Sequence, residues 1–362
     1  MLSALPAKAF SPSTKALGAP GKGVLAIDES SPTIAKRFAA INVESTPETN
    51  NTYRDILLTT EGLSDFISGV ILFDETLRQS TIADATPFPN HLSDAGILPG
   101  IKVDKGAKPL AGHEGEKVAE GLEGLRDRLT EYAELGAKFA KWRAVIVIDG
   151  DSKPSRAAVD VNAHGLARYA ALAQEAGLVP ICEPEVLMDG EHTIERSLEV
   201  TEKVVSGMYT AFKKQGVLLE GTVLKVNMVL SGYEAETQAS DNEVAEATLR
   251  CLKRCVPAAV PSVLFLSGGQ TEQEAARRLN LMNQIKDATV PWNLSFSFGR
   301  ALQHSALRKW NGQSENAEAA QAMLLQRSRL AGAATLGTYS EGPCGSGLND
   351  VLAFRGKRVG GR

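Results

Sequence analysis

Residues 138–148 read KFAKWRAVIVI, residues 178–186 LVPICEPEV and residues 222–230 TVLKVNMVL. Between them lie two stretches, 162–177 and 193–215, with apolar residues every three or four positions. Short β-branched runs separated by helical periodicity predict strand, helix, strand, helix, strand. The alternation extends both ways. Upstream stand GVLAIDES from Gly23, ISGVILFDE from Ile67 and PGIKVDK from Pro99; downstream stand SVLFLSGG from Ser262 and WNLSFSFGR from Trp292. Further helical stretches cover 120–136, 241–255 and 272–286, and Gly136, Gly177 and Gly216 close helices where a positive φ is expected. Eight such repeats predict an α/β protein built as a (β/α)₈ barrel. A doubly wound sheet would place a glycine-rich turn after an early strand. Gly18, Gly21 and Gly23 instead precede the first strand, and no P-loop occurs.

The chain's 362 residues accommodate one barrel with extensions. We expect an N-terminal arm over 1–22, the barrel over 23–337 and a glycine-rich, flexible tail over 338–362. The arm has three lysines and no acidic residue, so it reads either as a transit-type leader or as an irregular arm on the barrel surface, and the second is preferred. Charge is close to balanced, 39 Lys+Arg against 43 Asp+Glu, which argues against a nucleic-acid or anionic-membrane partner. No apolar run approaches the ~18–20 residues of a membrane span. The four cysteines, Cys182, Cys251, Cys255 and Cys344, do not form a disulfide framework; reduced thiols in a cytosol-like compartment are expected.

A barrel carries its chemistry at the C-terminal strand ends. Those ends show Asp28 and Glu29, Asp74 and Glu75, Lys102 and Asp104, Lys141 and Arg143, Glu183 and Glu185, Lys225 and Asn227, Ser267-Gly268-Gly269, and Ser297, Gly299 and Arg300. Many are two apart, hence on one face of their strand. Lys141 and Lys225 sit in runs apolar on both sides, the signature of strands buried on both faces, so each lysine is expected to enter the barrel mouth. Burial and neighbouring cations lower a lysine's pKa. A neutral lysine attacks a carbonyl to form a Schiff base, whose protonated imine draws electrons from the adjacent carbon and lets a C–C bond break. Glu183 and Glu185 supply carboxylates for proton transfer, and a barrel interior can raise a carboxyl pKa towards working pH.

Ser267-Gly268-Gly269 and Gly299-Arg300 follow the seventh and eighth strands, where barrels often hold a phosphate. A second anion could be held by Lys102, Arg143, Ser30 and Thr33. Two anion sites facing an imine lysine suggest a sugar bisphosphate. The five histidines are scattered without metal-ligand spacing, and no G-x-S-x-G elbow is present. No metal and no other cofactor is called for.

Taken together, GKGVLAIDES, SGVILFDETL, PGIKVDKG, GAKFAKWRAVI, GLARYA, GLVPICEPEVLMDGEH, LKVNM, PAAVPSVLFLSGGQTE and LSFSFGRALQ resemble class I fructose-bisphosphate aldolases from about Ala19 to Tyr339. The resemblance implies reversible, metal-independent cleavage of fructose 1,6-bisphosphate to dihydroxyacetone phosphate and glyceraldehyde 3-phosphate, in glycolysis, gluconeogenesis or carbon fixation. It implies Lys225 as Schiff-base nucleophile, Glu183 as general acid/base, Glu185 as its hydrogen-bonding neighbour, Lys141 as the tuning cation and Asp28 as the carboxylate that handles the C4 hydroxyl. The one-phosphate site maps to Ser267, Gly268, Gly269, Ser297, Gly299 and Arg300, with Arg37 as a mobile partner. The six-phosphate end maps to Ser30, Thr33, Lys102 and Arg143. A homotetramer in the cytoplasm, or alternatively the plastid stroma, is also implied. Fructose 1-phosphate and sedoheptulose bisphosphate are further candidate substrates.

Three departures stand out. Many members end in a tyrosine that assists proton transfer, where this chain ends Gly360-Gly361-Arg362. Asn50-Asn51-Thr52 stands where members often have arginines, and the arm before Pro20 is interrupted by prolines where relatives carry a helix.

Overall fold

The structure, a computed structural model, describes residues 10–340. Eight parallel strands close into a barrel: β1 (Gly23–Ile27), β2 (Ile67–Leu72), β3 (Leu98–Lys102), β6 (Phe139–Ile146), β7 (Val179–Val186), β8 (Val223–Val226), β9 (Ser262–Phe265) and β10 (Asn293–Phe298). β1 pairs with both β2 and β10, so no edge remains in this sheet. The two remaining strands, β4 (Ala107–Pro109) and β5 (Lys117–Ala119), form an antiparallel hairpin inserted between β3 and β6. The eightfold reading did not include this hairpin, because three-residue strands carry too little alternation to register.

Helices stand between the barrel strands. Leu125–Glu134 starts later than expected because the chain first leaves the hairpin through Gly121 and Gly124, both at positive φ. Arg156–Glu175 starts earlier, capped by Ser155, whose hydroxyl accepts a hydrogen bond from the Ala158 N–H. Ile194–Gln215, Asp241–Cys255 and Glu272–Ile285 follow the predicted ranges closely, each capped by a Thr or Ser side chain. Gly136, Gly177 and Gly216 take positive φ as expected.

Side chains alternate along each strand between the barrel interior and the helical layer. Ala140, Trp142, Cys182, Leu224 and Val226 face outward into the main core, where Trp142 stacks on Tyr169 at 5.6 Å between ring centroids. Phe139, Val179, Ile181, Val223, Ala26 and Leu264 form a separate interior cluster. Gly100 makes room for it, since a Cβ there would lie 2.2 Å from the buried Phe139 ring.

The N-terminal arm differs from its expected form. Residues Ser11–Leu17 are helical, with a proline in the first turn, where its missing N–H costs no hydrogen bond. Phe10 and Leu17 are buried with the interior cluster, so this segment closes the base of the barrel instead of wandering over its surface. The Ser68 hydroxyl fastens it by donating to the carbonyls of Leu17 (2.9 Å) and Gly23 (3.0 Å). The expected tail beyond residue 340, including Cys344 and Gly360-Gly361-Arg362, lies outside the described residues. Cys182, Cys251 and Cys255 are free thiols.

Candidate active site

The interior cluster becomes charged as each strand rises by two residues. Ala26 is followed by Asp28, Phe139 by Lys141, Ile181 by Glu183 and Val223 by Lys225. Period-two alternation therefore stacks four ionisable groups above an apolar plug, with Lys141, Glu183 and Lys225 each only 3% exposed. Lys141 Nζ lies 2.7 Å from Asp28 Oδ2 and 3.0 Å from Glu183 Oε2, while Lys225 Nζ lies 3.2 Å from Glu183 Oε1. Glu183 thus bridges the two lysines. β3 brings Lys102 into register with Lys141.

Opposite charges alternate here, and that corrects the expected proton affinities. Burial alone would lower the Lys141 pKa, but Asp28 and Glu183 hold its ammonium well above the ordinary lysine range. Burial alone would raise Glu183 and Asp28, yet Lys141 and then Lys225 hold both below the usual carboxylate range. The cluster sits as two carboxylates around a persistent Lys141 cation, a different state from the depressed lysine and raised carboxyl expected of burial by itself. Glu185, the next inward residue of β7, pairs with Arg143 Nε.

One side of the mouth is built from backbone. Gly268 and Gly269 take φ +56° and +113°, turning the chain sharply after β9. A Cβ on Gly268 would lie 2.2 Å from Met188 Cε, and one on Gly269 3.4 Å from an Arg300 Nη atom. Gly299 caps the helix Arg300–Trp310, and Arg37 Nη2 lies 4.0 Å from where a Gly299 Cβ would be. Ser297 is 1% exposed and its hydroxyl has no protein partner, so a polar group is buried there without being satisfied. Open N–H-bearing turns, two guanidiniums and a free hydroxyl suit a phosphate.

The other expected anion contacts are less gathered. Lys102 Nζ pairs with Asp104 Oδ1 at 3.1 Å, and the Arg143 N–H donates to Asp104 Oδ2 at 3.2 Å. The Ser30 and Thr33 hydroxyls lie 3.1 Å apart and bond each other at the start of the helix Ser31–Ala39. Asn50 donates to Glu75 at 3.0 Å, and Asn51 to the Ser80 carbonyl at 3.4 Å, so both are engaged on a neighbouring segment.

Several residues around the site were given no role from sequence, although Glu29, Asp104 and Asn227 stood among the polar strand ends. Asp104 organises Lys102 and Arg143; Asn227 accepts the Val186 N–H at 2.9 Å and ties β7 to the turn after β8. Tyr233 packs against Gly269. Glu29 gathers Arg37, Arg54 and Gln303. Arg54 carried a usable signal, a cation on the apolar stripe of Tyr53, Ile56 and Leu57; Tyr233, and the partners of Glu29, Asp104 and Asn227, become visible only when separate loops meet. Among the described residues, no group of His, Cys, Asp and Glu is arranged to hold a metal ion.

The family model for class-I fructose-bisphosphate aldolase matches residues 10–355. The chain is 55% identical over 326 residues to a probable fructose-bisphosphate aldolase class 1 of Xanthomonas campestris, covering 90% of this chain and 96% of that protein. It is 53% identical over 337 residues to cytosolic fructose-bisphosphate aldolase 6 of Arabidopsis thaliana, covering 93% of each. Among solved structures, the Plasmodium falciparum fructose-bisphosphate aldolase, crystallised with TRAP and a small-molecule inhibitor, superposes with a TM-score of 0.90 at 48% identity, over 93% of this chain and 96% of that one. Similarity of that length, on the same closed barrel, leads to one conclusion: the chain belongs to the class I fructose-bisphosphate aldolase family and is a metal-independent lyase.

Proposed function

We propose that Lys225 is the nucleophile of this aldolase and that Glu183 serves it. The observation that carries the reading is Glu183 itself, an ionised carboxylate buried between two lysines and 3.2 Å from Lys225 Nζ. In that position it can take the proton that Lys225 must lose before attacking C2 of the open-chain ketose. Addition gives a carbinolamine, and loss of water, with Glu183 returning the proton to the leaving hydroxyl, gives the protonated imine. Asp28, held as a carboxylate by Lys141, accepts the C4 hydroxyl proton as the C3–C4 bond breaks. The electron pair of that bond moves into the imine to form an enamine, and glyceraldehyde 3-phosphate leaves. Return of the proton held by Asp28, directly or by way of water, to the enamine carbon restores the carboxylate, and addition of water to the imine releases dihydroxyacetone phosphate and the Lys225 amine. Lys141 remains charged throughout, and Glu185 fixes Arg143 beside Glu183.

The one-phosphate is held by the turns at Ser267, Gly268 and Gly269, by the Ser297 hydroxyl and Gly299, and by Arg300 with Arg37. The six-phosphate is met by Lys102 and Arg143, with Ser30 and Thr33 turning their hydroxyls to it. Two cationic ends favour a bisphosphate over a monophosphate, while fructose 1-phosphate and sedoheptulose bisphosphate fit the same reaction. The cytosolic isozyme among the relatives supports a cytoplasmic location. A homotetramer rests on the family resemblance and is read by light scattering.

Incubation with dihydroxyacetone phosphate followed by borohydride should give one reduced adduct, on Lys225, by peptide mass spectrometry. Lys225→Met should keep its fold and lose both adduct and turnover. An adduct on another lysine, or activity in the folded variant, would reassign the nucleophile.

A further inference from the structure

Glu29 follows Asp28 just beyond the end of β1, and whereas Asp28 meets Lys141 in the mouth, the Glu29 side chain lies in the surrounding wall against Arg54 and Gln303. There one carboxylate meets two guanidiniums. Arg54 Nη2 lies 2.7 Å from Glu29 Oε2, and both residues are buried, at 2% and 8% exposure. Arg37 pairs with the other oxygen, Oε1, from the partly exposed side. Gln303 anchors that oxygen, its Nε2 donating to Glu29 Oε1 at 3.0 Å and to the Ala26 carbonyl at 2.7 Å. Phe38, Tyr53 and Trp310 pack with ring centroids 5.2–5.5 Å apart and form the apolar backing. Arg37 and Arg54 hold the Glu29 pKa below its ordinary value against the burial that would raise it.

A single buried Arg37–Glu29 pair would make Arg37 a poor phosphate ligand. Its departure would strand a carboxylate in a nonpolar wall, and an unpaired buried charge is far costlier than the pair is favourable. Arg54 removes that obstacle, because Glu29 stays paired whichever way Arg37 points. Two guanidiniums on one carboxylate leave the cluster with one net positive charge, and its partly exposed guanidinium, Arg37, lies beside Gly299.

We propose that Arg54 is a positioning residue: by keeping Glu29 paired it allows Arg37, seated on Glu29 beside the one-phosphate turns, to exchange that carboxylate for the substrate's phosphate. This rests on the assignment of Arg37 to the one-phosphate given above. Arg54 touches no substrate; it acts by keeping Glu29 paired after the exchange.

The test compares the KM for fructose 1,6-bisphosphate with the Ki of fructose 6-phosphate, a competitor lacking the one-phosphate. Arg37→Ala should raise the ratio KM/Ki; if it does not, the assignment of Arg37 itself fails. Given that rise, Arg54→Met should raise the ratio about tenfold or more, with a smaller change in kcat, because Glu29 now retains Arg37. Glu29→Gln combined with Arg54→Met removes both buried charges and should return the ratio to within about threefold of the parent. A merely structural Arg54 would not respond selectively to the one-phosphate, nor be rescued by removing Glu29. An unchanged ratio in Arg54→Met beside a raised one in Arg37→Ala overturns the proposal and leaves the phosphate site standing. Should Arg54→Met not fold, the double variant decides: a ratio as high as in Arg37→Ala overturns it.

Discussion

Replacing Lys141 by Met removes the cation around which the mouth is organised and keeps a side chain of similar length. Asp28 then loses its 2.7 Å partner, and Glu183 keeps only Lys225 at 3.2 Å. Stranding buried carboxylates in this way costs about 3–5 kcal/mol. With an unfolding entropy of about 2.1 cal/mol/K per residue, each kcal/mol moves the Tm of a 362-residue chain by about 1.3 °C, so a fall of about 4–7 °C is expected at pH 7.5. The deficit should depend on pH. In the parent, Asp28 and Glu183 have folded-state pKa values below their ordinary 3.8 and 4.5, so their stabilisation is complete above those values and is lost only as pH falls through the folded ones. Without Lys141, burial prevails and the carboxyl pKa rises. A group raised in the folded state stabilises below its unfolded pKa and loses that contribution as pH climbs through the folded value. The Tm difference between parent and variant should therefore shrink between pH 8 and pH 5. Cleavage at pH 7.5 should fall about 10²–10⁴-fold, the usual contribution of a proton-transfer group, because Asp28 and Glu183 lose part of the ionised population they need as proton acceptors, and the residual activity should rise towards pH 8. Differential scanning fluorimetry and a coupled cleavage assay across that range test both. A Tm deficit constant from pH 8 to pH 5 would show that Lys141 does not hold these carboxylates ionised, and would refute the electrostatic account of the site.

Two further substitutions probe the phosphate turn and the base of the barrel. Gly268→Ala places a Cβ at φ +56°, 2.2 Å from Met188 Cε and 2.9 Å from Leu266 Cδ1. A stability cost of about 1–3 kcal/mol in urea unfolding should come with a KM rise that exceeds any loss in kcat; an unchanged KM would remove this turn from the phosphate site. Leu17→Ala leaves a hole in a fully buried position of the interior cluster, at a cost of about 2–5 kcal/mol, with kcat retained because the base lies opposite the mouth. A urea midpoint equal to the parent's would mean that the arm does not close the barrel.

The barrel was legible in the amino-acid order because its signal is local and repeated. β-branched runs, helical spacing and helix-ending glycines each depend on residues a few positions apart, and eight repetitions outweigh the ambiguity of any one. The same locality explains the failures. Three-residue β4 and β5 carry no usable period, and Pro12 read as an interruption because a proline's meaning depends on whether it opens a helix or breaks one. Hydrophobic Phe10 and Leu17 gave no hint that they plug the barrel, since what they meet comes from residues 24 to 264.

The sequence by itself determined which ionisable residues reach the mouth. Lys141, Glu183 and Lys225 each stand two positions beyond an apolar inward residue, and strand alternation puts each on the same face as that residue. Only the tertiary structure decided what those residues are to one another. Burial alone argued for a depressed lysine and raised carboxyls; closing the barrel set Asp28 and Glu183 on either side of Lys141, and attraction at 2.7–3.0 Å reversed both shifts. Proton affinity depends on the sum of charges within a few ångströms, and those charges come from separate strands, Asp28 standing 113 residues before Lys141 and Glu183 42 residues after it.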